Sequence, residues 1–356
     1  MQINDMSAPA HWIEPYPGGI YVRPADIWID PSAAKPRAVI THGHADHARG
    51  GHGQCWATPE TLAIMELRYG TKEGQAVPYG AAFEEGGVRF SLHSAGHVLG
   101  SAQVLMEYEG QRVIVTGDYK RRADPTCAPF ALVPCDIFIT EATFGLPVFR
   151  HPPIAEEIAK LTSRIAAESE RCVLVGAYAL GKAQRVIAEL RGAGWTQPIY
   201  LHGALERMCA LYGTLGVDLG DLRPVTGTPK EAMMGQIVLC PPSALTGAWS
   251  RRLPSPITAM ASGWMRVRGR ARARNVELPL IISDHADWDE LTDTITRLNP
   301  KETWITHGSE EGLLRWCELN QRKARALAMV GRDDDGGDDD GGDSGSDTGS
   351  NSRSAG

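Results

Sequence analysis

The sequence predicts an α/β protein, and three observations predict it. Short apolar, β-rich runs fill the first 150 residues and return after residue 276. Several of these runs end directly in polar, chemically active residues. Between the two stretches the texture changes to alternating helix and strand. The early runs lie at 19–22, 26–29, 37–40, 89–92, 102–108, 112–116 and 136–140. Ile40 precedes Thr41-His42, Thr116 precedes Gly117-Asp118, and Ile139 precedes Thr140-Glu141, so functional groups sit at the ends of rigid strands. The middle of the chain reads as a helix over 154–169, a strand over 172–176, a helix over 182–191, and strands over 198–201, 236–239 and 258–261. After Asn275 the first texture resumes: 278–282 leads into Ser283-Asp284-His285, and 303–305 into Thr306-His307. The expected organisation is a discontinuous first domain, 1–150 with 276–330, that carries an inserted α/β module over 151–275. The stretch 331–356 has no apolar residue larger than alanine and is expected to be a disordered acidic tail.

Composition narrows the functional classes. The chain has 356 residues, 42% hydrophobic and 22% charged, enough apolar material for one large core or two smaller ones. The net charge of -7 is carried by the tail, where eight aspartates face one arginine after residue 332. The body is therefore neutral, and the acidic balance does not argue against a nucleic-acid partner. Seven cysteines are scattered without a CxxC pair, which suits reduced, mostly buried thiols. The first residues lack a basic start followed by an apolar run, and no run approaches the ~18 apolar residues of a membrane span. The expectation is a cytoplasmic protein with no membrane contact.

The chemistry concentrates at Thr41-His42-Gly43-His44-Ala45-Asp46-His47. Three imidazoles and a carboxylate within six residues are costly as structure, because each buried ring needs partners for both nitrogens and charged rings repel. A metal ion accepts one lone pair from each neutral ring and removes that cost. His97, between glycines in Ala95-Gly96-His97-Val98-Leu99-Gly100, would alone be an ordinary histidine. Asp118 would alone be a turn residue, and His307 a loop histidine. Their order and contexts behind HxHxDH lift all three above those readings.

This succession of HxHxDH, a glycine-flanked histidine, a strand-end aspartate and a late histidine resembles the metallo-β-lactamase superfamily. The resemblance implies an αββα sandwich, two β-sheets with helices outside. It implies one metal held by His42, His44, His97 and Asp118, and a second by Asp46, His47, His307 and the shared Asp118. Asp30 resembles the first motif of the family, where it would orient ligands without being one. Zinc is the expected metal because neutral imidazoles favour it, with manganese as the alternative.

The 189 positions between Asp118 and His307 hold the inserted module, and that resembles the β-CASP branch, nucleases that process RNA and DNA. Thr140-Glu141-Ala142-Thr143-Phe144-Gly145, Ser283-Asp284-His285-Ala286-Asp287 and Ile305-Thr306-His307-Gly308 resemble three motifs of that branch. The chemistry fits: a phosphodiester needs a nucleophile, neutralised oxygens and a protonated leaving group, and two metals about 3.5–4 Å apart can serve the first two needs. His285 is then the expected general acid, with Glu141 holding it charged and oriented, and Asp46 completes the catalytic set. A structural Glu–His pair is the alternative.

Five arginines alternate over 266–274. In an extended chain Arg266, Arg268 and Arg270 would form a row for successive phosphates; a solvated edge is the plainer reading. Lys120, Arg121 and Arg122 would add charge at the mouth of the site, and Trp264 would either stack on a base or pack. The phrases around Trp264, Gly181-Lys182-Ala183-Gln184-Arg185 and Asp287-Trp288 most resemble the bacterial ligase-associated DNA exonucleases. This implies a DNA substrate, a place in DNA repair and an association with an ATP-dependent DNA ligase. An RNA-processing nuclease, similar to the mRNA 3′-end factors, and a non-catalytic nucleic-acid scaffold are the competing readings.

Overall fold

The computed structural model describes residues 10–70 and 74–327, and the expected acidic tail lies outside the described residues. The chain begins with β1 (Ile13–Tyr16), β2 (Gly19–Val22), β3 (Ile27–Ile29), β4 (Arg37–Val39) and β5 (Gln54–Ala57), then α1 (Pro59–Tyr69) and β6 (Gln75–Ala76). These six strands form one sheet in sequence order, antiparallel at first and parallel from β3 onward. Next come β7 (Ala82–Glu85), β8 (Val88–Ser94), β9 (Ala102–Tyr108), β10 (Gln111–Val115) and β11 (Ile137–Ala142).

The middle of the chain follows as α2 (Ile154–Ala167), β12 (Val173–Gly176), α3 (Lys182–Gly192), β13 (Ile199–Leu201), α4 (Gly203–Thr214), β14 (Leu222–Pro224), β15 (Ile237–Cys240), β16 (Ile257–Ala261), α5 (Arg268–Ala273) and β17 (Leu278–Leu280). Last come α6 (Trp288–Leu298), β18 (Glu302–Gly308), α7 (Glu310–Leu319) and β19 (Ala324–Ala326). The second sheet has the order β19-β18-β11-β10-β9-β8-β7, so β18 and β19 return to a sheet begun two hundred residues earlier.

Alternation along the strands explains the layering. In β10, Val113 and Val115 face the space between the two sheets, together with Ile20, Ile29, Val39 and Trp56 of the first. Ile114, one residue between them, faces outward onto Leu291 and Ile295 of α6 and Leu313 of α7. On the first sheet, Ala38 and Ala57 point the other way onto Met65 of α1. Both sheets are thus covered outside by helices, which makes the αββα sandwich.

The third sheet, β14-β13-β15-β12-β16-β17, is parallel throughout. Its central strands β12 and β15 are buried on both faces, as expected of a parallel sheet under helices. Val173, Val175, Ile237 and Leu239 pack on α2, α3 and α4, in a core that reaches Ile64 of α1 and Leu99. The reading of 278–282 as the return to the first domain needs correction. Leu278–Leu280 pairs with β16 as an edge of the third sheet, because Leu280 completes that sheet's core. The described cysteines are free, and no described helix is long and apolar enough to cross a membrane.

Candidate metal centre

The ligand loop leaves β4 through Ile40, whose N–H still bonds Trp56 O (2.9 Å), and then folds into a turn closed by Ala48 N–H to His44 O (2.7 Å). The turn throws His42, His44 and His47 to one side. His97 sits in the tight connection from β8 to β9, closed by Ala95 N–H to Ser101 O (3.0 Å). Gly96 has φ +71°, and a Cβ there would lie 2.3 Å from Lys120 O, so glycine lets this loop approach the strand that delivers Asp118. Asp118 leaves the end of β10. His307 lies within β18, where the register with β11 slips: Thr140 faces Ile305 and Ala142 faces Gly308. Two residues, Thr306 and His307, therefore oppose Glu141 alone, a bulge that re-aims the side chains at this point.

The six ligand-type side chains converge. Asp118 Oδ2 lies 3.3 Å from His42 Nε2, 3.2 Å from His47 Nε2 and 3.8 Å from His97 Nε2. Asp118 Oδ1 is 3.1 Å from His307 Nε2, and His44 Nδ1 is 3.0 Å from His97 Nε2. The sets His42-His44-His97-Asp118 and His47-Asp118-His307 each bring their ligand atoms within 4.8 Å of one another. Asp46 joins the second through Oδ2, 3.3 Å from His47 Nε2.

The hydrogen-bond network fixes which ring nitrogen is left for a cation. Thr41 Oγ1–H donates to Asp30 Oδ2 (2.6 Å), so the His42 Nδ1–H donates to Thr41 Oγ1 (3.0 Å). His47 Nδ1–H donates to Asp30 Oδ2 (2.7 Å), and His97 Nδ1–H to Asp284 O (2.7 Å). Thr306 Oγ1–H donates to Thr140 O (3.2 Å), so His307 Nδ1–H donates to Thr306 Oγ1 (3.0 Å). His44 turns the other way, with Nε2–H directed to Leu180 O (3.2 Å). In every neutral ring the remaining nitrogen is a lone pair aimed at another acceptor, and buried His42 Nε2 has no hydrogen-bond partner.

Protons do not resolve this crowding. Burial first, and His47 next, push His42 down to about 4; burial and the facing His285 hold His97 well below the usual histidine range. Burial opposes ionisation of Asp46 and Asp118, but the surrounding histidines, His47 foremost, hold both carboxyls below their ordinary range. Imidazole nitrogens and ionised carboxylates crowded together in this way are the donor set of two divalent cations, whose binding would displace any proton left on the inward nitrogens, so the residues present fit the metals the resemblance implies.

Asp30 occupies the orienting position expected of it, accepting from Thr41 N–H (2.7 Å), Thr41 Oγ1–H and His47 Nδ1–H. Asp30→Asn should lower metal affinity about 10- to 100-fold while leaving the ligands in place. Competition with a chelator reads this, and unchanged affinity would remove the role.

A third cluster borders the first two. Asp118, Glu141 and His285 bring ligand-type atoms within 4.8 Å of one another. Glu141 is fully buried; its Oε1 accepts Tyr119 N–H (2.7 Å) and its Oε2 lies 3.0 Å from His285 Nδ1. The His285 ring stands 4.7 Å from that of His97. Asp287, two residues on, caps α6 by accepting Glu290 N–H (3.0 Å), with Glu290 accepting Asp287 N–H (3.1 Å), which fixes the loop carrying His285.

Two expectations about the surroundings need correction. The arginine row does not form: Gly263–Arg266 is a 3-10 turn and Arg268–Ala273 the helix α5. Met265 and Ala271 bury into the core there, and a helical turn scatters side chains two residues apart to opposite sides. Arg266 and Arg268 are exposed separately, while Arg270 lies over the Trp264 ring at 4.0 Å. Lys120 is not at the mouth; it is buried at 1% exposure and paired with Asp124 (2.6 Å). Arg121 is paired with Asp293 and Arg122 with Asp287. Of the two roles open to Trp264, packing is the one seen, against Arg270, Phe144 and Phe149.

Sequence reasoning missed the residues that orient the ligands: Thr41, Thr306 and the carbonyls of Asp284 and Leu180. One signal was available. The tetrapeptide Ile-Thr-His-Gly occurs at both 40–43 and 305–308, and in each copy the threonine holds the histidine that follows it.

Fold and centre together define the class: an αββα sandwich with a paired His/Asp metal site of the metallo-β-lactamase type. The chain belongs to the β-CASP branch of the metallo-β-lactamase family. No family model matches the chain. It is 30% identical over 323 residues to the "Probable DNA ligase" of Opitutus terrae, an alignment covering 86% of this chain and 31% of that protein. It is 33% identical over 184 residues to "Endoribonuclease YSH1" of Eremothecium gossypii, covering 48% and 23%. It is 24% identical over 387 residues to "Cleavage and polyadenylation specificity factor subunit 3-I" of Arabidopsis thaliana, covering 85% and 55%. The chain thus spans less than two thirds of each of these relatives. A solved structure of a protein of unknown function from Enterococcus faecalis V583 shares the fold, with a TM-score of 0.59 at 13% identity over 83% of this chain and 79% of that one.

Proposed function

We propose that the chain is a dinuclear metal-dependent phosphodiesterase, a nuclease acting as a DNA exonuclease in repair. One observation carries the reaction class: Asp118 stands where the two imidazole sets meet, and His285, backed by buried Glu141, lines the same cavity. Divalent cations held there, zinc or manganese, would supply Lewis-acid activation of water and charge neutralisation of the phosphate. The residues then divide the remaining work. His42, His44, His97, Asp46, His47 and His307 hold position through the orienting bonds described above. His285, backed by Glu141, gives its proton to the leaving oxygen as the phosphorus–oxygen bond breaks, and ends neutral.

The choice of DNA rests on the motif phrases around Trp264 and Lys182 and on the alignment, over most of this chain, with a relative whose printed name is a DNA ligase. By this reading the chain shares its task with an ATP-dependent DNA ligase in the cytoplasm. The relatives named as endoribonucleases favour RNA as the second reading. The test is a time course with the full chain, loaded with zinc or manganese, on end-labelled single-stranded DNA and RNA of matched sequence. Progressive shortening of DNA from one end is expected. Cleavage of RNA alone would overturn the DNA choice, and cleavage of neither would overturn the nuclease.

A further inference from the structure

His97 is gripped at both ends by a circuit of buried charges. Its Nδ1–H donates to Asp284 O (2.7 Å), and its own carbonyl accepts from Lys120 Nζ (3.4 Å). Lys120 Nζ also lies 2.6 Å from Asp124 Oδ2. Arg185, on α3 of the inserted module, joins the two halves. Its Nε lies 3.5 Å from Asp124 Oδ2, and its Nη1 donates to Ser283 O and to Asp284 Oδ1 (3.5 Å). Lys182, one helical turn earlier, lies 3.0 Å from Asp284 Oδ2. None of these five side chains is more than 6% exposed.

The circuit closes across the whole chain: Lys120 and Asp124 follow Asp118, Asp284 precedes His285, and Arg185 comes from between them. Asp124 Oδ1 accepts Thr126 N–H (2.8 Å) and Thr126 Oγ1–H (2.7 Å), which leaves Oδ2 to the cations. Burial opposes ionisation of both carboxyls, but Lys182 foremost for Asp284 and Lys120 foremost for Asp124 hold them below their ordinary range. Buried ion pairs add little net stability over apolar packing, and their best-attested use is to fix a register. The register fixed here is that of the 283–285 loop, whose carbonyl sets the His97 ring. His44, of the same ligand set, directs Nε2–H to Leu180 O at the foot of α3. The second set is oriented from within the first domain instead, His47 by Asp30 and His307 by Thr306.

We propose that Arg185 is a positioning residue for the first metal set, His42-His44-His97-Asp118: through Asp284 and Lys120 it holds His97 in the ligating orientation, so that the docked inserted module sets the affinity of that position and not of the second. This rests on the dinuclear centre of the nuclease reading, but its readout is zinc affinity and no substrate enters. The metal-free full chain is titrated with zinc against a chromophoric chelator, and its thermal melting is recorded. The wild type should bind zinc in two steps, which H42A and H307A assign by each removing one. R185K keeps the charge and loses the planar fork that spans both carboxylates. It should weaken the step lost in H42A about 10-fold and leave the step lost in H307A within about 2-fold, with metal-free melting close to that of the wild type. D124N should weaken the same step about 3-fold. Unchanged binding of both ions by R185K, or equal weakening of both steps, would overturn the positioning role and leave the nuclease standing. Should R185K fail to fold, the same two outcomes in D124N decide. A wild type that binds zinc in fewer than two steps would overturn the dinuclear centre and the positioning role with it.

Discussion

Asp118→Ala is expected to abolish phosphodiester cleavage, with kcat falling by ~10³-fold or more. Among the described residues, Asp118 is the carboxylate common to both imidazole sets. Its Oδ2 faces His42, His47 and His97 within 3.8 Å, and its Oδ1 faces His307 at 3.1 Å. Removing it takes the shared carboxylate from both cation positions at once and leaves inward lone pairs without the charge that gathers cations among them. Metal content should therefore fall with activity, from about two ions per chain to below one after dialysis. Asp118→Asn, which keeps the shape and loses the charge, should resemble the alanine variant more than the wild type. A variant that cleaves at the wild-type rate with its metal intact would overturn the mechanism.

His285→Ala carries the second large effect, and it should depend on the leaving group. A general acid contributes roughly 10²–10⁴-fold when the departing oxygen is strongly basic, as a sugar alkoxide is. It contributes little when the departing group leaves readily as an anion. The variant should thus lose about 10²-fold or more on single-stranded DNA and under about 10-fold on bis(p-nitrophenyl) phosphate. Glu141→Gln should follow the same pattern more weakly, since Glu141 reaches the reaction through His285 Nδ1, 3.0 Å away. Equal losses on both substrates would mark the Glu–His pair as structural. Asp118→Ala, by contrast, should lose activity on both substrates alike, so the two variants separate the nucleophilic side of the reaction from the leaving-group side.

The metal centre was legible because its chemistry is dense in sequence. HxHxDH packs four ligand-type residues into six positions, and the later ligands follow apolar runs whose period-two pattern marks strand ends. The strands 19–22 and 102–108 match the structure end for end, since each is an uninterrupted β-rich run bounded by turn residues. β1, β5, β6, β7, β14 and β19 went unread: they are short, several are edges, and β7 exposes much of its length. Such strands are held by pairing partners distant in sequence. The helices α1, α4, α6 and α7 were passed over as well, although α6 carries a capping signature in Asp287 and Glu290.

The arginine segment failed for a different reason. Alternate spacing reads as an extended row only if the backbone is a strand, and at 263–273 the burial of Met265 and Ala271 pulls the chain into helical turns. The sequence by itself determined which side chains could ligate, their order, and the presence of an inserted α/β module. The tertiary structure alone decided that Lys120 is an internal counter-charge, that Asp284 offers its carbonyl to His97, and that Lys182 borders the cavity. Ligand identity resides in the residue type. Orientation, tautomer and access depend on neighbours brought together across a hundred residues or more, and no local pattern encodes them.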